Sequence, residues 1–259
     1  YYWKGKLPMT PFFAAVPFGL NAQEMNGWLL HGGGLELWRE LYEPLGLIPE
    51  PCGNTGVQMA GWFNKEINSL ADLKGMKMRI PGLGGEVWRR AGGIPVLMPG
   101  SEVFTSLETG AIDAAEWVGP YNDLAFGLFK AARYYYYPGW HEPGTTLEAL
   151  INKKAYESLP KDLQEIVTTA CRTANADLLA DFTAKNNEAL QTLITKHGVE
   201  LRELPKEVLS ELEAISESML KEQTETELDQ RILESFMEFK DQAKTWHRVS
   251  EQSYYDARR

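Results

Sequence analysis

The chain has 259 residues, with 26 Lys and Arg against 36 Asp and Glu and a formal net charge of −10. Its 44% hydrophobic and 24% charged residues are an ordinary globular balance and exclude a disordered or fibrous chain. Apolar runs are broken well before about 18 residues, which excludes a membrane-spanning helix, and an acidic balance without a Lys/Arg cluster excludes nucleic acid and anionic membrane as partners. A small anionic ligand is not excluded, since one buried Arg can hold an anion inside an acidic protein. The length fits one large domain or two modest ones. Two cysteines, Cys52 and Cys171, are too few for a disulfide scaffold or a cysteine-only zinc site, and a single disulfide stays open. The opening Tyr1-Tyr2-Trp3 carries no Met and no charged-then-apolar leader, and reads as processed or truncated.

In chain order, Phe12 to Phe18 reads as a buried strand, Gln23 to Leu30 as a helix stopped at Gly32-Gly33-Gly34, and Leu35 to Leu45 as a second helix ended by Gly46. Leu47-Ile48 is a short strand, Gly56 to Phe63 a clearer one, and Leu70 to Gly75 a turn with one helical loop. The strand Met76 to Ile80 ends at Pro81-Gly82, followed by the helix Gly84 to Ala91 and the strand Pro95 to Met98. Helix Glu102 to Thr109 has Ser101 as its expected N-cap and Gly110 as its C′ residue. Ala114 to Val118 is a strand. Strands alternating with helices imply βαβ units and a largely parallel sheet. After Tyr134 to Tyr137 and a Gly/Pro-punctuated loop, Thr145 to Ile151 is extended. A long helix follows from Lys161 to Lys196, with Leu163, Ile166, Val167, Ala170, Ala174, Leu178, Phe182, Leu190, Leu193 and Ile194 as its apolar positions. Gly198 stops it, Val199 to Leu204 is a strand, and Pro205 starts a helical region to about residue 255.

Several catalytic signatures fail. His31-Gly32-Gly33-Gly34 resembles a lipase oxyanion run, but the chain has no G-x-S-x-G elbow. Gly82-Leu83-Gly84-Gly85 lacks dinucleotide spacing, no P-loop exists, and His141-Glu142 is not followed by the second His of H-E-x-x-H. The four histidines show no metal-ligand spacing, and no nucleophile–base pair emerges. What remains is a set of polar residues at apolar strand ends. Arg79 closes a strand just before Pro81-Gly82, where open α/β sheets bind ligands, and offers a planar fork for a carboxylate; the alternative is an Arg reaching solvent or a surface acid. Gln58 lies in an otherwise apolar strand and needs a partner or a ligand. Glu116, between Ala115 and Trp117, is costly to bury uncompensated. Glu142 sits in a turn flanked by Gly139 and Gly144. Two carboxylates, an amide and backbone carbonyls suit a hard cation, Na⁺ or Ca²⁺, and not zinc or copper.

At these residues the chain resembles a family. The run Leu73-Lys74-Gly75-Met76-Lys77-Met78-Arg79, the run from Glu102-Val103-Phe104 through Gly110-Ala111-Ile112-Asp113-Ala114-Ala115-Glu116, and Phe18-Gly19 with Gly32-Gly33-Gly34 resemble the extracytoplasmic solute-binding subunit of TRAP transporters, the DctP type. The likeness extends over essentially the whole chain, including Asn152-Lys153 and Leu159-Pro160. Glu116-Trp117 with Gly139 to Gly144 is similar to the branch that takes 2-oxo or 2-hydroxy monocarboxylates, such as pyruvate or lactate, through a metal ion. The resemblance implies an α/β, two-lobed periplasmic-binding-protein-like fold with crossing strands, a long lobe-spanning helix and a helical C-terminal tail. It implies residues 1–57 in the first lobe and 58–117 in the second. Residues 118–150 would be a crossing segment returning to the first lobe, 151–205 the long helix with a second-lobe strand, and 206–259 the C-terminal helical region. In that picture Arg79 pairs with the ligand carboxylate, and Gln58, Glu116, the Trp117 carbonyl and Glu142 hold Na⁺ or Ca²⁺. Gln58 and Trp117 then also border the ligand, and Tyr2 closes the pocket. It further implies a periplasmic location, delivery to TRAP membrane subunits, a homodimer through Leu209 to Tyr255, and a strand–helix–strand block ahead of the segment that Tyr1 matches. Two other classes stay open: a metal-dependent enzyme on a 2-oxo acid with Glu116 or Glu142 as base, and an interaction module using the helical tail.

Overall fold

The computed structural model describes residues 1–258. Two sheets organise it. Strands β1 (Leu47–Asn54) and β7 (Thr146–Asn152) pair antiparallel. The other sheet has β2 (Gly61–Phe63), β3 (Lys77–Arg79), β4 (Ile94–Val96), β5 (Ala114–Ala115), β6 (Tyr134–Tyr137) and β8 (Glu200–Glu203), in the order β4-β3-β5-β2-β6-β8. It is mixed, not largely parallel: β2 runs antiparallel to both β5 and β6, while β3–β4, β3–β5 and β6–β8 are parallel. Each parallel pair has at least one helix between its two strands in sequence. Neighbouring residues on its strands face opposite layers. Phe63, Ala114 and Tyr136 join one core, and Trp62, Ala115 and Tyr135 the other, as a two-residue period requires.

The first core is covered by α3 (Gly82–Arg90) and α8 (Lys206–Lys221), the second by α4 (Gly100–Glu108) and the end of the long helix α7 (Lys161–His197). Near the N-terminus, α1 (Ala22–His31) starts in a reciprocal cap: Asn21 Oδ1 accepts from Glu24 N at 3.0 Å, and Glu24 Oε2 from Asn21 N at 2.8 Å. The expected strand Phe12 to Phe18 is instead a 3₁₀ turn, Thr10–Phe13, with Pro11 pre-setting its first residues. A continuous apolar run has no period to separate strand from helix, and packing decides. Phe13 is stacked between Trp28 and Trp38 at 5.4 and 5.3 Å, and Phe12 meets Phe236 edge-on. Ser101 does not cap α4, which starts one residue earlier at Gly100, behind Pro99. Gly110 does adopt the left-handed conformation of a C′ residue, with φ +74°.

At 37 residues, α7 is about 55 Å long. Its buried stripe runs Gln164, Cys171, Asn175, Phe182, Ala189 and Leu193, narrower than expected. Leu163 and Ile166 are 42% and 60% exposed, because the helix is a brace touching β1 and α5 (Pro120–Phe126) on one edge only. Asn186 Oδ1 accepts the Tyr121 amide at 3.1 Å, and Phe182 meets Tyr121 edge-on at 6.1 Å. Helix α2 (Gly34–Tyr42) follows α1, the short α6 (Lys153–Glu157) precedes α7, and α9 (Glu227–Val249) and α10 (Glu251–Ala257) form the tail, α9 inserting Ile232 and Phe236 into the first core. No helix among the described residues is long and apolar enough to cross a membrane.

Candidate functional site

Because β2 opposes both β5 and β6, strands β3, β5 and β6 all point one way and end at one sheet edge, where β2 begins. Arg79 is the last residue of β3 and Glu116 follows β5 directly. The stretch 138–145 leaves β6 for β7, and 55–60 leads from β1 into β2. These two crossovers lie side by side: Thr55 N donates to Thr145 O at 3.0 Å and Gln58 N to Glu142 O at 3.2 Å. Gln58 therefore sits ahead of β2, which starts only at Gly61, and not inside a strand from Gly56 to Phe63. Gly139 permits the approach, since a Cβ there would overlap the Gln58 carbonyl.

The four polar residues singled out from the sequence meet at this edge, all buried. Arg79 forms an ion pair with Glu116 through Nη1, which also donates to the Glu116 carbonyl at 3.3 Å; Nη2 donates to the Tyr2 hydroxyl at 3.0 Å. Gln58 Nε2 donates to Glu142 Oε2 at 2.8 Å and to the Thr55 and Thr145 hydroxyls, both at 3.2 Å. Thr145 donates to the same Glu142 oxygen at 2.6 Å. Trp117 is half-buried, its ring 5.3 Å from the Arg79 guanidinium and stacked on Phe126 at 4.6 Å. Tyr2 is 63% exposed and reaches the cluster through its hydroxyl alone.

Two residues were missed from the sequence. His141 Nε2 lies 3.3 Å from Glu116 Oε2, and Glu116, His141 and Glu142 each bring a ligand-type atom within 4.8 Å of the others. Metal-spacing rules look for local repeats, whereas these partners come from different strands' ends; the signal available was its place beside Glu142 between Gly139 and Gly144. Asp123, at the start of α5, accepts from Trp62 Nε1 and Tyr135 OH, both at 2.8 Å, and from the amides of Val118 and Gly119 at 3.2 and 3.1 Å. It fixes the backbone just after Glu116-Trp117.

Burial governs the charges. It pushes Glu116 up to about 7 against the pull of Arg79, and Glu142 up to about 7 with Glu116 adding to the rise. Burial holds His141 down, to about 4, so its ring is neutral near pH 7. Two buried acids, one guanidinium and a neutral imidazole form an electron-rich cluster short of positive charge. Three buried polar atoms, Gln58 Oε1, Arg79 Nε and His141 Nδ1, have no hydrogen-bond partner. The donor set fits an oxygen-liganded cation better than zinc or copper, since no thiolate and only one imidazole are present.

A buried guanidinium facing carboxylates where two chain crossovers join two sheets has the chemistry to take a small charged solute. The chain belongs to the bacterial extracellular solute-binding protein family 7, DctP, whose family model matches residues 1–227. A monocarboxylate 2-oxoacid-binding periplasmic protein of Nostoc sp. (strain PCC 7120) is 47% identical over 255 residues, 98% of this chain and 70% of the relative. A TRAP periplasmic solute-binding protein of Colwellia psychrerythraea, solved with bound calcium and pyruvate, matches with a TM-score of 0.96 at 45% identity, over 99% of this chain and 79% of that one. One from Pseudoalteromonas atlantica T6c, with bound sodium and pyruvate, gives 0.95 at 44% identity, over 100% and 79%. The family consists of transporter receptors, which sets aside an enzyme that turns over a 2-oxo acid.

Proposed function

We propose that this chain captures a 2-oxo or 2-hydroxy monocarboxylate of the pyruvate and lactate class together with Na⁺ or Ca²⁺, and delivers it in the periplasm to TRAP membrane subunits. The observation that carries the reading is the cluster at one sheet edge. There, two buried carboxylates and the unpartnered Gln58 Oε1 adjoin a guanidinium whose second nitrogen meets only a tyrosine hydroxyl. Gln58 commits its nitrogen to Glu142, Thr55 and Thr145, which leaves its oxygen as a free acceptor. Gln58, Glu116, Glu142 and the Trp117 carbonyl would hold the cation, which supplies the positive charge the cluster lacks and a partner for the ligand's carboxylate and 2-oxygen.

Arg79 pairs with the ligand carboxylate as a planar fork, Trp117 walls the pocket over the guanidinium, and Tyr2 closes it from outside. Neutral His141 holds the second Glu116 oxygen without adding charge. Ionised Glu116 and Glu142 against Arg79 leave one net negative charge, so Ca²⁺ with a monocarboxylate brings the site to neutrality. The β1/β7 sheet and the six-stranded sheet then belong to separate lobes, with 55–60 and 138–145 as the hinge. We extend the reading to a homodimer through the tail, where Trp246, Val249, Tyr254 and Tyr255 are exposed.

Calorimetry on chelator-treated protein tests it, with pyruvate and lactate titrated in the presence and absence of calcium or sodium. Binding is expected only with a cation. Arg79→Ala is expected to weaken it about 100-fold, the loss of about two charge-assisted hydrogen bonds. Undiminished binding by Arg79→Ala, or equal binding after chelation, refutes the assignment.

A further inference from the structure

Cys52 and Cys171 take no part in the site, yet the fold brings them together. Cys52 lies at the bulge of β1, between Pro51 and Gly53, and has no partner across in β7. A bulge re-aims the side chain it carries. Helix α7 crosses β1 at this point: a Cβ on Gly53 would press on Leu178, and one on Gly56 would meet Leu179. Cys171 is two helical turns before Leu178 on that same face, and is buried. Neither cysteine is bonded to another, and Cys52 is a direct neighbour that acts on the Cys171 thiol. Half-buried Cys52 is open to a reagent that Cys171 cannot meet directly.

We infer that Cys52 and Cys171 are a cross-linking site, closed to a disulfide that fastens the crossing strand β1 to the middle of helix α7. A family of extracellular receptors works where such bonds form and persist. The oxidant is a small-molecule or protein disulfide. The Cys52 thiolate attacks one of its sulfurs and releases one thiolate. The Cys171 thiolate then attacks the Cys52 sulfur of the mixed disulfide and releases the second. The chain gives up two electrons and two protons, and the oxidant leaves as two thiols. Burial, with Cys52 and Glu50 adding to it, pushes the Cys171 thiol up to about 12. A thiol that ionises so reluctantly closes the bond slowly, since little of it is thiolate, and is a poor leaving group once the bond is made, which makes the bond a lasting brace and not a shuttle. It anchors β1 just ahead of the crossover that carries Thr55 and Gln58.

The chain is exported to a bacterial periplasm, and a second sample is made in the cytosol and incubated with glutathione disulfide. Both are alkylated without reduction and weighed intact. The expected result is no alkyl group, a mass lower by two hydrogens, and a Cys52–Cys171 peptide in the digest. Reduction is expected to lower Tm by about 10 °C in the wild type and to leave Cys52→Ser and Cys171→Ser unmoved. Two alkylated cysteines in both samples, or Cys52 linked to another molecule in place of Cys171, overturn the inference. Cys52→Ser changes only a half-buried position, so it serves if Cys171→Ser does not fold.

Discussion

The two buried glutamates make a pH- and cation-dependent stability the sharpest test of the site. Glu116 and Glu142 are each pushed from an ordinary value near 4.5 to about 7. A rise of about 2.5 pH units corresponds to about 3 kcal/mol for a single carboxyl. The folded chain then holds protons that the unfolded chain has released. Its stability is highest below pH 4.5 as far as these groups are concerned, falls as pH climbs toward 7, and levels off above. Glu142 is raised partly by Glu116, so the two steps belong to the pair and are not added as independent sums. A cation that binds the ionised pair reverses this. At 100 times its Kd it stabilises by about 2.7 kcal/mol, a Tm rise of about 5–11 °C in a chain of this size. Below pH 7 it must displace protons, and the rise shrinks. The assay is thermal unfolding of chelator-dialysed protein from pH 5 to 8.5, with and without calcium, then with pyruvate added. The expected cation shift is largest at pH 8 and small at pH 5.5, and Glu142→Gln removes part of that dependence. A cation shift of equal size at both pH values, or none at either, refutes the reasoning.

Gly139→Ala places a methyl group into the Gln58 carbonyl, where backbone and not a flexible side chain must yield. It is expected to lower Tm by several degrees and to weaken ligand binding at least tenfold, read by calorimetry on the folded fraction. Asp123→Asn replaces one accepting oxygen by an N–H₂ that faces either the Trp62 and Tyr135 donors at Oδ2 or the Val118 and Gly119 amides at Oδ1. A buried mismatch of that kind costs about 1–3 kcal/mol. The expected Tm loss is about 2–10 °C, accompanied by weaker binding, because the displaced backbone is the one that follows Glu116 and Trp117.

Arg79 and Glu116 were legible because a charged residue closing an apolar strand must either reach solvent or find a partner, and both fall at the ends of parallel strands, where open α/β sheets bind ligands. Gln58 stood out as the polar residue in a run that is otherwise apolar from Gly56 to Phe63, but its place did not, because only tertiary packing starts the strand at Gly61. His141 escaped because its partner Glu116 belongs to another strand end, and ligand spacing rules read only local repeats. Asp123 looks like an ordinary first-turn acid after Pro120; its donors Trp62 and Tyr135 come from two strands that the sequence does not place side by side. On α7 only one line of side chains is buried, because a brace is covered along a single edge, and its exposed apolar residues mimic a broader stripe.

The position of the cluster also accounts for how binding would be felt across the molecule. Arg79 and Glu116 belong to strand ends of the six-stranded sheet, whereas Gln58 and Glu142 belong to the crossovers toward β1 and β7. A ligand and cation held by all four would tie the crossovers to the sheet edge, where the proposed hinge lies. Holding a cation requires the two acids to ionise in a buried setting, which burial makes unfavourable without a counter-charge. Ionisation of the cluster is therefore resisted without a counter-charge, and a cation and a carboxylate bound together would remove that resistance. Solute and cation binding are thus expected to be mutually cooperative, each raising the affinity for the other by the same factor.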